Sequence, residues 1–216
     1  GVASSTVSQS AVSNTSNVNV GSDQLVIQYL PTQSQVDNGL FDCEGTQVTS
    51  TVNYVIQRYF VRQDANISSN ETATTALALA CAAGRSNNIA VFNNDSGQII
   101  MKRVDYFHVL LVVEDGSGNF QDMTIANYVA SASTARIVGV KIGILARSSQ
   151  SVGIDSNINL AKKFAILDKS PNPANPSDQS SDQSVTLNST IQSATTKNLR
   201  QVVTQTIAIR NALGDK

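Results

Sequence analysis

Few residues in this chain have the chemistry of a catalyst. The single histidine, His108, lies inside the apolar run DYFHVLL (105–111). A histidine-based metal site needs further histidines, cysteines or carboxylates at ligand spacing, and none surrounds it. General acid–base work needs an acid or nucleophile within hydrogen-bond reach. Only Asp105 is close in sequence, and the two-residue period of a strand puts it on the opposite face. His108 is therefore read as a satisfied sheet residue. Ser117, in DGSGNF (115–120), lacks the Gly-x-Ser-x-Gly frame of a nucleophile elbow. Asp115, Ser117, Asn119 and Asp122 resemble a fragment of a calcium loop, but the glycine at its sixth position and the distal glutamate are missing. A hairpin turn accounts for them. The reading assigns no catalytic residue, no metal site and no cofactor, and the chain does not look like an enzyme.

The two cysteines carry a different chemistry. Cys43 in FDCEGT and Cys81 in LALACAA bracket the strand-like run VNYVIQRYFVR (52–62). An even cysteine count beside abundant Ser, Thr, Asn and Gln points to an exported protein with a disulfide; two buried, reduced cysteines are the alternative. Closing that loop would restrict the unfolded chain by about 4 kcal/mol in the chain-entropy model. Such a bond is expected to tie the 52–62 strand to its neighbour. Asn14, Asn66, Asn70, Asn94 and Asn188 each open an Asn-x-Ser/Thr triplet, as chance provides in so polar a chain.

Composition narrows the partners. Of the 216 residues, 41% are hydrophobic, enough for a packed core, but only 14% are charged, against the roughly one quarter usual for soluble domains. The surface must be built from hydroxyls and amides. The net charge of −1 comes with no basic stripe, which argues against direct nucleic-acid binding by this segment. No run approaches the ~20 apolar residues of a membrane span, and no signal peptide opens the chain. For a protein that looks exported, this implies processing or truncation ahead of Gly1.

Strands must position these residues. Residues 1–22 read as a flexible polar lead-in, and residues 23–216 as a β-rich domain. Within it, DQLVIQYL (23–30), stopped by Pro31, and 47–62 read as strands, the latter long enough to bend or to be two. The Ala-rich segment 74–83 is compatible with helix or strand. A turn at Asn94-Asp95-Ser96-Gly97 joins two further runs. VDYFHVLLVVED (104–115) has the unbroken apolar character of a central strand covered on both faces. In 135–149, Val138, Val140, Ile142 and Ile144 share one face and Gly139, Lys141, Gly143 and Arg147 the other. The first face is expected on the core, and the glycines to mark close approach of another element. Residues 169–184 hold three of the four prolines and read as a flexible, protease-sensitive loop. The β-branched residues of 198–216 favour a last strand. The fold class is mainly β or α+β, with antiparallel sheet.

Taken in order, SDQLVIQYL, FDCEGT, VNYVIQRYFVR, LALAC, VDYFHVLLVVEDGSGNF, NYVASAS, IVGVKIGILARSS and LRQVVTQTIAIRNAL resemble the ectodomain of PilW-type minor pilins of bacterial type IV pili. The resemblance covers most of residues 22–213, and its weight lies in the ordered set rather than in one motif. It implies an antiparallel pilin-type globular domain preceded by an apolar N-terminal helix, which these residues lack. It also implies a structural role: priming pilus assembly at or near the pilus tip with other minor pilins, the major pilin and a tip adhesin. The location implied is the inner membrane facing the periplasm before assembly and the pilus tip at the cell surface afterwards. Such filaments serve twitching motility, cell adhesion and DNA uptake. An independent surface adhesin or carbohydrate-binding β module is the competing reading.

Overall fold

The β-branched and aromatic runs become antiparallel strands in a computed structural model of the chain, which describes residues 7–12, 15–69, 71–86, 96–131, 135–155, 157–167 and 184–209. One sheet contains β1 (Gln9–Val12), β2 (Ser22–Tyr29), β3 (Tyr54–Gln63), β4 (Leu77–Ser86) and β5 (Gln98–Lys102), in that spatial order. The second sheet is built from β6 (Val104–Glu114), β7 (Phe120–Thr124), β8 (Arg136–Arg147) and β11 (Arg200–Ala208), in the order β11-β8-β6-β7. Between β8 and β11 the chain forms a small ladder of β9 (Phe164–Ala165) and β10 (Ser184–Val185). The Ala-rich segment resolves as β4. Its small side chains pack against β3, with Leu79 opposite Val61 and Cys81 opposite Tyr59, and the core made there outweighs alanine's helical preference.

The sheets stack face to face. Leu25, Val61, Leu77 and Leu79 of the first meet Phe107, Val109, Leu111, Val113 and Val140 of the second. The other face of the second sheet is covered too. Tyr106, Leu110 and Leu145 pack against Leu160, Phe164, Ile166, Leu167, Val185, Leu187 and Ile191 from the long β8–β11 connection. Strand β6 is thereby buried on both faces, as its apolar run requires. Gly143 allows the second layer to form: a Cβ there would lie 2.5 Å from Ile166 Cγ2 and 2.9 Å from Leu167 Cγ.

The face of β8 expected on the core is only partly closed. Leu145 on the glycine side is fully buried, whereas Ile142 and Ile144 are half-buried. Val138 and Val140 on that face are buried, while Ile142, Ile144 and the residues of β11 stay at least partly exposed. Burial along β8 therefore does not follow hydrophobicity alone.

Three short helices complete the described residues. α1 (Gln33–Asp37) opens on a capping box between Thr32 and Gln35, α2 (Ile125–Ala130) is capped by Thr124, and α3 (Ser189–Gln192) by Asn188. None is long or apolar enough to cross a membrane among the described residues. Within the expected lead-in, Gln9–Val12 forms β1, and Asn17 and Val18 are buried, with Val18 bridging to Leu187. The turn residues Asn94 and Asp95, the loop 169–183 and the triplets at Asn14 and Asn70 lie outside the described residues.

Candidate functional site

Three constructions position the polar residues, and each recruits groups far apart in sequence. The first is a buried ionic clasp at one end of the sandwich. Arg103 Nη1 donates to Asp64 Oδ2 at 2.8 Å, and its Nη2 lies 2.8 Å from Glu71 Oε2. Arg147 donates to the other Glu71 oxygen and, through Nε, to Asp105 Oδ1 at 3.0 Å. Arg200 Nε donates to Asp105 Oδ2 at 2.7 Å, and Asn17 Nδ2 to Asp105 Oδ1 at 2.8 Å. The clasp joins the β3–β4 loop, the β5–β6 junction, β6, the end of β8 and the start of β11. Three carboxylates meet three guanidiniums, and every one of these side chains is nearly fully buried.

Arg103 is the pivot of that clasp. It lies between β5 and β6, where the chain passes from one sheet to the other, with φ 61°. That left-handed conformation costs a residue with a Cβ about 1–2 kcal/mol. Its guanidinium holds Asp64, Glu71, the Asn66 carbonyl and the Ser68 hydroxyl, contacts that fix the turn. Burial by itself raises the pKa of Asp64, but hydrogen bonds from Asn66 and Arg103 and the charges of Lys102 and Arg103 outweigh it and hold the carboxyl below its ordinary value. Glu71 is likewise raised by burial and lowered on balance by Ser68, Arg147 and Arg103. Both acids remain ionised, and each positive charge already has an anion. Such a cluster specifies geometry, since burying ions is costly and only complete pairing offsets it.

The second construction closes an open edge. β7 pairs with β6 only from Leu110 to Glu114, which leaves the earlier residues of β6 without a strand on that side. Side chains and backbone from residues 17–23 take its place. Asn17 N–H donates to the Asp105 carbonyl at 2.8 Å, Phe107 N–H to Ser22 Oγ at 3.2 Å, and Val109 N–H to Asp23 Oδ2 at 2.8 Å. The same Asp23 oxygen lies 2.7 Å from His108 Nδ1, and Tyr106 stacks on the imidazole. His108 is thus a buried sheet residue. Its acidic neighbour is Asp23, not Asp105, which faces the arginines. Burial, followed by the nearby Asp23 charge, raises the Tyr106 phenol well above its ordinary range, so it serves as a neutral aromatic wall.

The third is the disulfide strap. Cys43 and Cys81 are joined, with Cα atoms 6.1 Å apart. The bond runs from the turn at 42–47 to β4; it does not link the 52–62 strand to its neighbour, because β3 and β4 already pair along their whole length. Asp42 Oδ1 accepts from Glu44 and Thr46 N–H groups, while its other oxygen accepts from Arg85 at 2.7 Å. Cys43 N–H donates to Gln57 Oε1 and Ala83 N–H to Glu44 Oε2. The strap therefore covers the end of the first sheet with a turn that its own side chains hold rigid.

Asp115 ends up where the hairpin reading put it. Its carboxylate accepts from Asn119 and Ser117 within the β6–β7 turn; these bonds, led by the Asn119 side chain, lower its pKa. Asp122 instead meets Lys141 at 2.6 Å, so the calcium-like set is divided between two tasks. Among the described residues, no group of three or more His, Cys, Asp or Glu side chains is placed to hold a metal ion. An apolar groove of about 850 Å³ lies between β1 and α2, lined by Val7, Ala11, Val12, Ile125 and Val129.

These constructions tie together segments that are far apart in sequence. The family model of the type IV pilus-assembly protein W matches residues 58–211. The chain belongs to this family. No curated protein and no solved structure matches it. For a PilW-family protein the clasp, the capped β6 edge and the strap form a structural site, consistent with work in pilus assembly. Sequence reasoning missed the clasp, although it left a signal: Arg103 and Asp105 flank the start of the most apolar strand in a chain poor in charge. Charges set there must be paired to be buried.

Proposed function

We propose that this domain is a minor pilin that primes type IV pilus assembly and sits at or near the pilus tip, with no catalysis of its own. The family match over 58–211 carries the reading. The architecture supports it. Polar side chains that elsewhere would form an active site are here spent on joining elements, as suits a subunit that transmits contacts. In this reading the domain recruits other minor pilins, the major pilin and a tip adhesin. It waits at the inner membrane facing the periplasm, held by an apolar helix ahead of Gly1, before moving to the pilus tip at the cell surface. The filaments it starts would serve twitching, attachment and DNA uptake.

The test is deletion of the gene in its host with a count of surface pili. Loss of pili, restored by the complete protein, is the expected result. Unchanged piliation and twitching would overturn the proposal.

A further inference from the structure

Strand β11 ends the second sheet, and its outer side has no neighbouring strand among the described residues. Its register fixes which backbone groups face outward. The Leu199 carbonyl accepts from Ser148 N–H at 2.9 Å, and Ile209 N–H donates to the Val138 carbonyl at 2.9 Å. Between these two anchors the pairing with β8 is unbroken from Arg200–Arg147 to Ala208–Gly139. Bonded and non-bonded pairs alternate in an antiparallel ladder, so the odd-numbered residues bond to β8. Val202, Thr204, Thr206 and Ala208 then turn their N–H and C=O groups away from it. Among the described residues, a local bond from the Gln205 side chain is the one that reaches any of these carbonyls, that of Thr206.

Sheet edges in soluble proteins are normally blunted by shortness, bulges or charge. β1 has four residues and a bulge, β5 has five with a bulge in its pairing, and β7 has five. β11 has nine residues in regular register. Its one charged residue, Arg200, points into the clasp at Asp105. On the face beside the half-buried Ile142 and Ile144, Val203 and Ile207 are 47% and 48% exposed. A long, regular, uncharged edge with an apolar flank has the properties of a strand-addition site.

We infer that the outer edge of β11 docks an extended segment of a different pilus subunit, which adds to the second sheet as a further strand and lays apolar side chains beside Val203 and Ile207. This inference rests on the pilus-assembly reading. The occupant must be extended backbone, since only that supplies alternating donors and acceptors at the spacing of a ladder. Antiparallel self-pairing of two β11 edges is isologous and closes after two copies, which would cap the edge instead of joining it to the other pilus components that membership of a pilus-assembly family implies.

The experiment exchanges the chromosomal gene for one encoding the complete protein with Thr204→Pro and Thr206→Pro. Proline removes two outward N–H groups that β8 does not use, and edge strands tolerate it there. The expected result is a purified domain that melts within a few degrees of wild type, in a host with as few pili as the deletion strain. Wild-type piliation with the folded double variant overturns the inference. If deletion depletes pili and the variant restores them, the edge is wrong while the assembly reading stands. Should the proline variant not fold, Thr204→Lys puts a charge on the same edge, with the same two outcomes. A photoreactive benzoylphenylalanine at Thr204, but not at Gln121 of β7, should crosslink to another pilin subunit identified by mass spectrometry. Crosslinking only from β7, or a purified domain whose dimer the proline variant abolishes, would each overturn it, the latter in favour of a second copy.

Discussion

β11 begins inside the buried clasp and runs out along an edge with no strand beside it among the described residues. At Arg200 the guanidinium is buried against Asp105, inside a cluster where each charge has its opposite. A few residues on, Val203 and Ile207 stand about half exposed on a strand with an unpaired edge. On β11 the one charge lies where it locks elements together, and none lies along the rest of the edge. Burial and charge are thus used for opposite ends on one strand: the clasp forbids alternatives, and the edge leaves one open.

The largest effect should come from breaking the clasp. Asp105→Ala removes the anion that Arg200 meets, leaves Arg147 with Glu71 alone and takes one acceptor from Asn17. A loss of about 3–5 kcal/mol is expected for an unpaired buried charge, read as a shift in the urea midpoint. Reducing the Cys43–Cys81 bond should cost about 2–4 kcal/mol, seen as a lower melting temperature in dithiothreitol. Equal melting with and without reductant would remove the strap from the account.

Acid should act more gradually. Asp64 and Glu71 have folded pKa values below their unfolded ones, which lie near 4. The unfolded state therefore binds more protons in that window. The stability these acids contribute is complete above about pH 4–5 and is lost as pH falls through the folded values. Asp64→Asn with Glu71→Gln should flatten the pH dependence of unfolding below pH ~4 relative to wild type. The smallest change belongs to the edge. Thr204→Lys, exposed and outside every pairing with a charge, should alter stability by no more than about 0.5 kcal/mol. A large loss there would show that the edge is part of the core, and the contrast between the two ends of β11 would fail.

Strand identity was legible where period and composition agreed, as in β2, β6 and β8, and the antiparallel β class followed from them. The ordered landmarks also pointed to the PilW family, which the match over 58–211 bears out. The tertiary pairs were not legible. His108 meets Asp23 across a separation of 85 residues, and Arg200 meets Asp105 across 95; no local rule links them. α1 could have been found from Thr32 and Gln35, whose spacing is that of a capping box. The face of β8 expected on the core is only partly covered for a related reason. Alternation tells that a face is apolar, but which other sheet reaches far enough to cover it is settled by topology. Gly143 did leave a trace, since a side chain at that position would meet Ile166.

The unbroken register between β11 and β8 has a mechanical meaning. A pull along the axis of β11 loads all nine of its paired residues together, as shear. A pull across the strand would peel the same ladder one rung at a time and fail at far lower force. The Arg200–Asp105 contact stands at the head of that ladder like the knot at the end of a seam. A load applied along β11 would thus meet the ladder in the direction in which it is hardest to tear away.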